Sequence, residues 1–177
     1  LKGGFDYVAP RYARYKWDGT ITNLLAYPLM RALYGLRIRQ PIGGDFGLSG
    51  DLVRHLLAQD DWTPDVSGFG VDAWMTTTAI AGGFAVCETR LGAKIHDPKD
   101  PASDLGPMFS EVAGTILRLL ADHRDRWTSV TTSHDVPVPY VVAAARRGDV
   151  TGLRVALVEA LGGEGYQAGV RQRFDEA

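Results

Sequence analysis

The sequence has very little cysteine, little net charge and no long apolar run. One cysteine, Cys87, excludes an internal disulfide and fits a reducing, cytoplasmic setting. Lys+Arg number 19 against 21 Asp+Glu, a formal charge of -2, so no overall basic face speaks for a nucleic-acid partner. No stretch approaches the ~20 apolar residues that a membrane span needs, and no signal peptide is visible. The four histidines have no partners at metal-ligand spacing. Also missing are a Gly-x-Ser-x-Gly elbow, a phosphate loop ending Gly-Lys-Ser/Thr, and any internal repeat.

What is present is an ordinary globular composition, 45% hydrophobic and 23% charged over 177 residues, enough for one domain with a sizeable core. The chain opens Leu1-Lys2-Gly3-Gly4 and enters a strand-like run at once, as a fragment would. Residues 5–9 read as a strand ended by Pro10, followed by a loop rich in aromatics and arginine at 11–19. Ile21, Leu24, Leu25, Pro28, Leu29, Ala32 and Leu33 predict an amphipathic helix, kinked at Pro28 and closed by Gly35. Asp18 or Thr20 would cap its start, where free amides favour an anion.

Further helices are expected from Ser49 or Asp51, from Gly70-Val71-Asp72 to Gly82-Gly83, and from about Asp104 through Leu120. Between them lie a polar loop at 60–69 and a strand through Phe84, Val86 and Glu88. A polar connection is expected at 122–140, then helical patches near 141–147 and 151–161 and a frayed end. Few strands separated by helices argue an α/β class, with a sheet edge left open to self-association or to a missing N-terminal half.

The eleven residues Gln40–Gly50 hold four glycines and Asp45. Such a stretch is either a tight turn or a loop that closes on a ligand. Asp72 in a first helical turn is either a dipole-favoured acid or a site carboxylate. Lys94 and His96 follow a strand end, where α/β sheets gather their chemistry. Spacing therefore leaves three candidate centres: Asp45, Asp72 and Lys94/His96.

Four motifs occur in order: Arg11 to Thr22, Gln40-Pro41-Ile42-Gly43-Gly44-Asp45, Gly70-Val71-Asp72, and Leu91-Gly92-Ala93-Lys94-Ile95-His96. From about Tyr7 to Leu120 they resemble the acceptor half of a GT-A fold, family 2-like glycosyltransferase, related to mannosylglycerate and glucosyl-3-phosphoglycerate synthases. The resemblance implies a C-terminal, Rossmann-like half domain over 1–125 and a helical extension over 126–177. It implies metal-assisted, retaining transfer of a hexose from a nucleotide-sugar donor to a small hydroxy-acid or sugar acceptor. His96 would ligate a divalent cation (Mn²⁺ or Mg²⁺), and Asp72 would orient the attacking hydroxyl. Ile42, Gly43, Gly44, Asp45 and Lys94 would line the substrate, while Arg11 or Arg14 with Thr22 would hold an acceptor carboxylate or phosphate. The family's Asp-x-Asp metal motif does not precede Tyr7, so this chain alone is expected to be inactive. Other readings are a non-catalytic carbohydrate or small-anion binding module, and a structural or oligomerisation domain.

Overall fold

The computed structural model describes residues 4–15, 18–94 and 105–139. The helical patches expected beyond residue 140, and His96, lie outside the described residues. What is described is a mixed α/β arrangement. A three-stranded sheet takes β1 (Tyr7–Ala13) as its centre, with β3 (Gly47–Leu48) antiparallel on one side. On the other side β4 (Val86–Ala93) runs parallel, in a register that pairs Tyr7 with Val86 and Arg11 with Arg90. A parallel partner needs a crossover, and the helices between the strands supply it.

Strand β1 does not stop at Pro10. Pairing with β3 covers only Tyr7 and Val8, so Pro10 sits where just one side of the strand is laddered. A residue without an amide proton is tolerated there. Likewise β4 continues through Gly92 and Ala93, beyond the alternation of apolar residues that marks its start.

The first helix begins near Thr20, passes through a π turn at Thr22–Ala26 and continues as α1 (Tyr27–Tyr34). The wide turn explains the accommodation of Pro28. The Tyr27 amide reaches back five residues to the Thr22 carbonyl, and the ladder is already interrupted where proline has no proton to give. It also turns the helix about its axis. The buried positions are Ile21, Thr22, Ala26, Met30 and Tyr34; of the expected stripe Ile21, Leu25 and Leu29 do turn to the core, whereas Leu24, Pro28 and Ala32 face solvent. Neither Asp18 nor Thr20 caps this helix with its side chain; the Gly19 carbonyl takes the Asn23 amide instead. Gly35 closes α1 at φ 68, as its position predicts.

A two-residue strand β2 (Leu36–Arg37) pairs in parallel with β5 (His134–Asp135). Helix α2 (Gly50–Leu57) starts at Ser49, whose hydroxyl accepts the Leu52 amide at 3.1 Å. The polar stretch after it is not all loop: Thr63 caps a short helix α3 (Pro64–Ser67). Helix α4 (Val71–Ala81) is buried on nearly all sides, with Ala73, Trp74, Thr76, Thr77 and Ala79 all within 1% exposure, so it has no solvent stripe to read. Helix α5 (Gly106–Asp122) follows, then α6 (Arg124–Trp127), which, with β5, occupies part of the expected polar connection.

Two apolar clusters flank α4. One gathers Tyr7, Ile38, Leu48, Leu52, Leu56, Val66, Trp74, Val86 and Leu119; the other gathers Ile21, Ala26, Ala73, Val112 and Ile116. The central helix is thereby fixed relative to the sheet, and its first turn is held against the glycine-rich loop. Among the described residues, no helix is long and apolar enough to cross a membrane.

Candidate functional site

The loop from Gln40 to Asp45 is tied down from three directions. From below, Thr76 of α4 donates its hydroxyl to the Pro41 carbonyl at 2.6 Å, and the buried Tyr7 hydroxyl bonds Thr76 in turn. From β1, the Tyr12 carbonyl accepts the Gln40 side-chain amide at 2.8 Å, and Arg14 donates Nε to the Gln40 Oε1 at 3.1 Å. From the end of β4, Lys94 Nζ donates to the Gly43 carbonyl at 2.8 Å and to Asp45 Oδ2 at 2.9 Å. The glycines have distinct reasons. A methyl on Gly43 would stand 2.2 Å from Pro10 Cγ, while Gly44 holds φ 87.

Asp72 stands one helical turn before Thr76 on the same face of α4 and accepts the Gly44 amide. Burial pushes its carboxyl up to about 6; the Gly44 amide and the charges of Lys94 and Arg14 pull the other way without overcoming it. Asp45 behaves oppositely. Its own burial would raise it, but hydrogen bonds from Tyr12 (2.5 Å) and Lys94, with the charges of Lys94 and Arg14, leave it below the usual carboxylate range. Burial and the adjacent Asp45 push the Tyr12 phenol up. Lys94 Nζ also lies 4.8 Å from the centre of the Tyr12 ring, and the Arg14 guanidinium 5.8 Å from it.

Of the residues expected at a site, Gly43, Gly44, Asp45, Asp72, Lys94 and Arg14 converge. Arg11 does not: it pairs with Glu88 at 3.5 Å, and Glu88 also accepts the Arg39 amide at 2.5 Å. Of the two arginines, then, Arg14 is the one that reaches the loop. Thr22 is buried in the π turn, and Ile42 packs on the second apolar cluster, so neither lines a polar cleft as a free group. Tyr12 and Gln40 were not legible as members, because nothing in their spacing reveals that β1 passes beside the loop. The Cys87 thiol, pushed up to about 11 by burial, offers no thiolate near neutral pH. Among the described residues no group of three or more His, Cys, Asp or Glu side chains is arranged to hold a metal ion.

The two carboxyls titrate in opposite directions, and the Lys94 ammonium, bonded to Asp45, acts by its charge on both. At neutral pH Asp45 is charged and held, while Asp72, with a carboxyl near 6, exchanges its proton readily.

Comparison with protein-family models gives no match. Curated proteins do match in part, among them A subunits of glutamyl-tRNA(Gln) amidotransferase. The chain is 64% identical over 47 residues to that of Streptomyces coelicolor, which is 27% of this chain and 10% of that protein. It is 62% identical over 47 residues to that of Thermobifida fusca, covering 27% and 9%. It is 47% identical over 77 residues to that of Mycobacteroides abscessus, covering 41% and 15%. The chain therefore spans a small part of the length of these relatives. The likeness overturns the resemblance to GT-A glycosyltransferases, and with it hexosyl transfer, the nucleotide-sugar donor, the small hydroxy-acid or sugar acceptor, and the alternative of a carbohydrate or small-anion binding module. It also overturns the exclusion of nucleic acid, which rested on net charge alone. The motifs misled for a physical reason: a glycine pair beside an acid, and an acid in a first helical turn, answer backbone needs that recur in unrelated α/β proteins.

Proposed function

We propose that this chain is a segment of a protein related to the A subunit of glutamyl-tRNA(Gln) amidotransferase, and that this protein serves amide transfer to glutamyl-tRNA(Gln). The observation that carries the reading is the 64% identity over 47 residues to the Streptomyces coelicolor protein, repeated at 62% in Thermobifida fusca. Identity that high over so short a stretch supports a shared local structure and role there.

Within that reading the Asp72–Asp45–Lys94 unit is assigned the proton handling. Attack of an amine on an acyl carbon must shed a proton, and a carboxyl near 6 is matched to accept it at neutral pH. Lys94 and Arg14 supply positive charge beside it, and Gly43 and Gly44 let the backbone approach a substrate closely. This assignment is supported by the geometry of the loop; the amidotransferase reading is supported by the likeness.

A segment exchange tests the function. The 47-residue stretch of the Streptomyces coelicolor protein is replaced by the matching stretch of this chain, and amide transfer to glutamyl-tRNA(Gln) is followed. Retained transfer supports the reading. A soluble, folded exchange protein that transfers no amide overturns it.

A further inference from the structure

A second polar region lies away from the glycine loop, between α1 and the residues that lead into β5. It is an open cleft of about 400 Å³ walled by Tyr27, Pro28, Arg31 and Ala32 on one side and by residues 130–133 on the other. The α1 residues lie on one helical face, at steps of one and four.

Two guanidiniums converge on one hydroxyl here. Arg31 donates Nε to Ser133 Oγ at 3.2 Å, and Arg37 donates Nε to the same atom at 3.1 Å. Like charges are brought together in this way, and among the described residues the one ion pair to either of them is from Asp135, 80% exposed, to Arg37 at 3.2 Å. Arg31 has no ion pair among the described residues. A third guanidinium, Arg39, lies 4.8 Å above the ring of Tyr27. Glu88 is engaged by the Arg39 amide and by Arg11.

The bonding of Ser133 sets the polarity of the cleft. Its oxygen has two lone pairs and both are taken by guanidinium N–H groups, so its own proton is left to donate. Thr131 and Thr132 add hydroxyls along the same wall. The terminal nitrogens of Arg31 make no hydrogen bond among the described residues. The cleft therefore presents the Arg31 fork, with an aromatic ring and a proline beside it, facing the hydroxyls of the other wall. Donors without matching acceptors, arranged in a fork, are complementary to a tetrahedral oxyanion.

We infer that this cleft binds the phosphate group of a small ligand, with Arg31 and Ser133 as the direct contacts and Arg37 as the cation that fixes Ser133. The pull of Arg37 on Ser133 orients the hydroxyl proton away from both guanidiniums and into the cleft. Tyr27 and Pro28 form the surface against which the rest of a phosphorylated ligand lies. The residues are distinct from those around Asp45 and Asp72, and the inference stands apart from the amidotransferase reading.

Isothermal titration of the 177-residue chain at low ionic strength, with inorganic phosphate and with adenosine monophosphate in separate runs, tests it. Saturable one-to-one binding of at least one probe is expected. Charge-assisted hydrogen bonds are the stronger ones, so Arg31→Ala with Arg37→Ala should weaken binding by about tenfold or more. Ser133→Ala should weaken it less, and Arg31→Lys, which keeps the charge but loses the fork, should lie between. Equal affinity for the two probes means that phosphate alone is read; tighter adenosine monophosphate means that Tyr27 contributes. Circular dichroism reports whether each variant keeps its fold, and Ser133→Ala serves if the double variant does not. No saturation with either probe overturns the inference, as does unchanged binding in a folded Arg31→Ala/Arg37→Ala or Ser133→Ala chain.

Discussion

Replacing Gly43 by alanine should cost more than any backbone argument allows. Gly43 has no positive φ, so alanine is acceptable to its backbone, and the whole penalty is steric. The added methyl would stand 2.2 Å from Pro10 Cγ, 3.1 Å from Pro10 Cδ and 3.2 Å from the Gln40 carbonyl. The proline ring is fully buried in the central strand, and the carbonyl belongs to a loop fastened by Thr76, Tyr12 and Lys94. Neither neighbour is the loose end of a long side chain. Overpacking of this kind costs about 1–3 kcal/mol, and the rigidity of both neighbours puts Gly43→Ala at the upper end. Gly83→Ala is the control. It adopts φ 74 and would meet nothing within 4 Å, so its cost is the left-handed backbone alone, about 1–2 kcal/mol. Urea denaturation of both variants measures the difference, and Gly43→Ala should unfold at the lower concentration. Pro10→Ala removes the atom in the way, so the double variant should recover part of the loss through a favourable coupling. If Gly43→Ala proves no more costly than Gly83→Ala, or if Pro10→Ala recovers nothing, the close packing of β1 on the loop is refuted.

Other outcomes follow from the same geometry. Asp72 has a folded carboxyl raised to about 6 from 3.8, so the folded state holds the proton more tightly than the unfolded one. Its contribution therefore becomes more destabilising as pH rises from about 4 to 6, by at most about 3 kcal/mol at ~1.4 kcal/mol per pH unit. Asp72→Asn should gain stability over the parent at pH 7.5 and lose that gain at pH 4, as urea midpoints at about those two values would show; a pH-independent difference would count against the buried carboxyl. Tyr12→Phe removes a hydrogen bond that holds the Asp45 carboxyl low, so the Asp45 titration seen by carboxyl carbon NMR should move upward, and an unmoved titration would place Tyr12 away from it. Ser49→Ala deletes the cap of α2 and should cost about 1 kcal/mol in thermal or urea unfolding, whereas a neutral result would mean that water replaces the cap without loss.

Most of the residues that meet at the loop were legible one by one. Glycines beside Asp45, an acid opening a helix at Asp72 and a lysine at the end of a strand announced three places, and the structure brings them together. Their convergence could not be read locally, because it depends on β1 passing between the loop and β4. That long-range fact also hides Tyr12 and Gln40. The first helix shows a different failure. Its apolar residues fit a regular helix well, but the π turn before Pro28 rotates the face, so Leu24 points outward and Thr22 inward. Periodicity counts residues per turn and cannot see a turn that holds one more. Helix α4 resisted for the opposite reason, being buried nearly all round and thus without a pattern. The family resemblance failed because short motifs report backbone conformation better than they report chemistry.

The position of β1 has a consequence for the order in which the molecule forms. Among the described strands the earliest in sequence is the middle of the sheet, and the Asp6 carboxylate that takes the Ala85 amide waits for a partner 79 positions away. Of its two partners among the described residues, β1 meets the two-residue strand β3 before β4 has been synthesised. Until then the flank of β1 that β4 covers in the folded sheet, on a strand carrying Tyr7 and Ala9, lacks that partner. Closing so long a loop is also entropically slow. A slower arrival of β4 therefore lengthens the time in which that flank can pair wrongly.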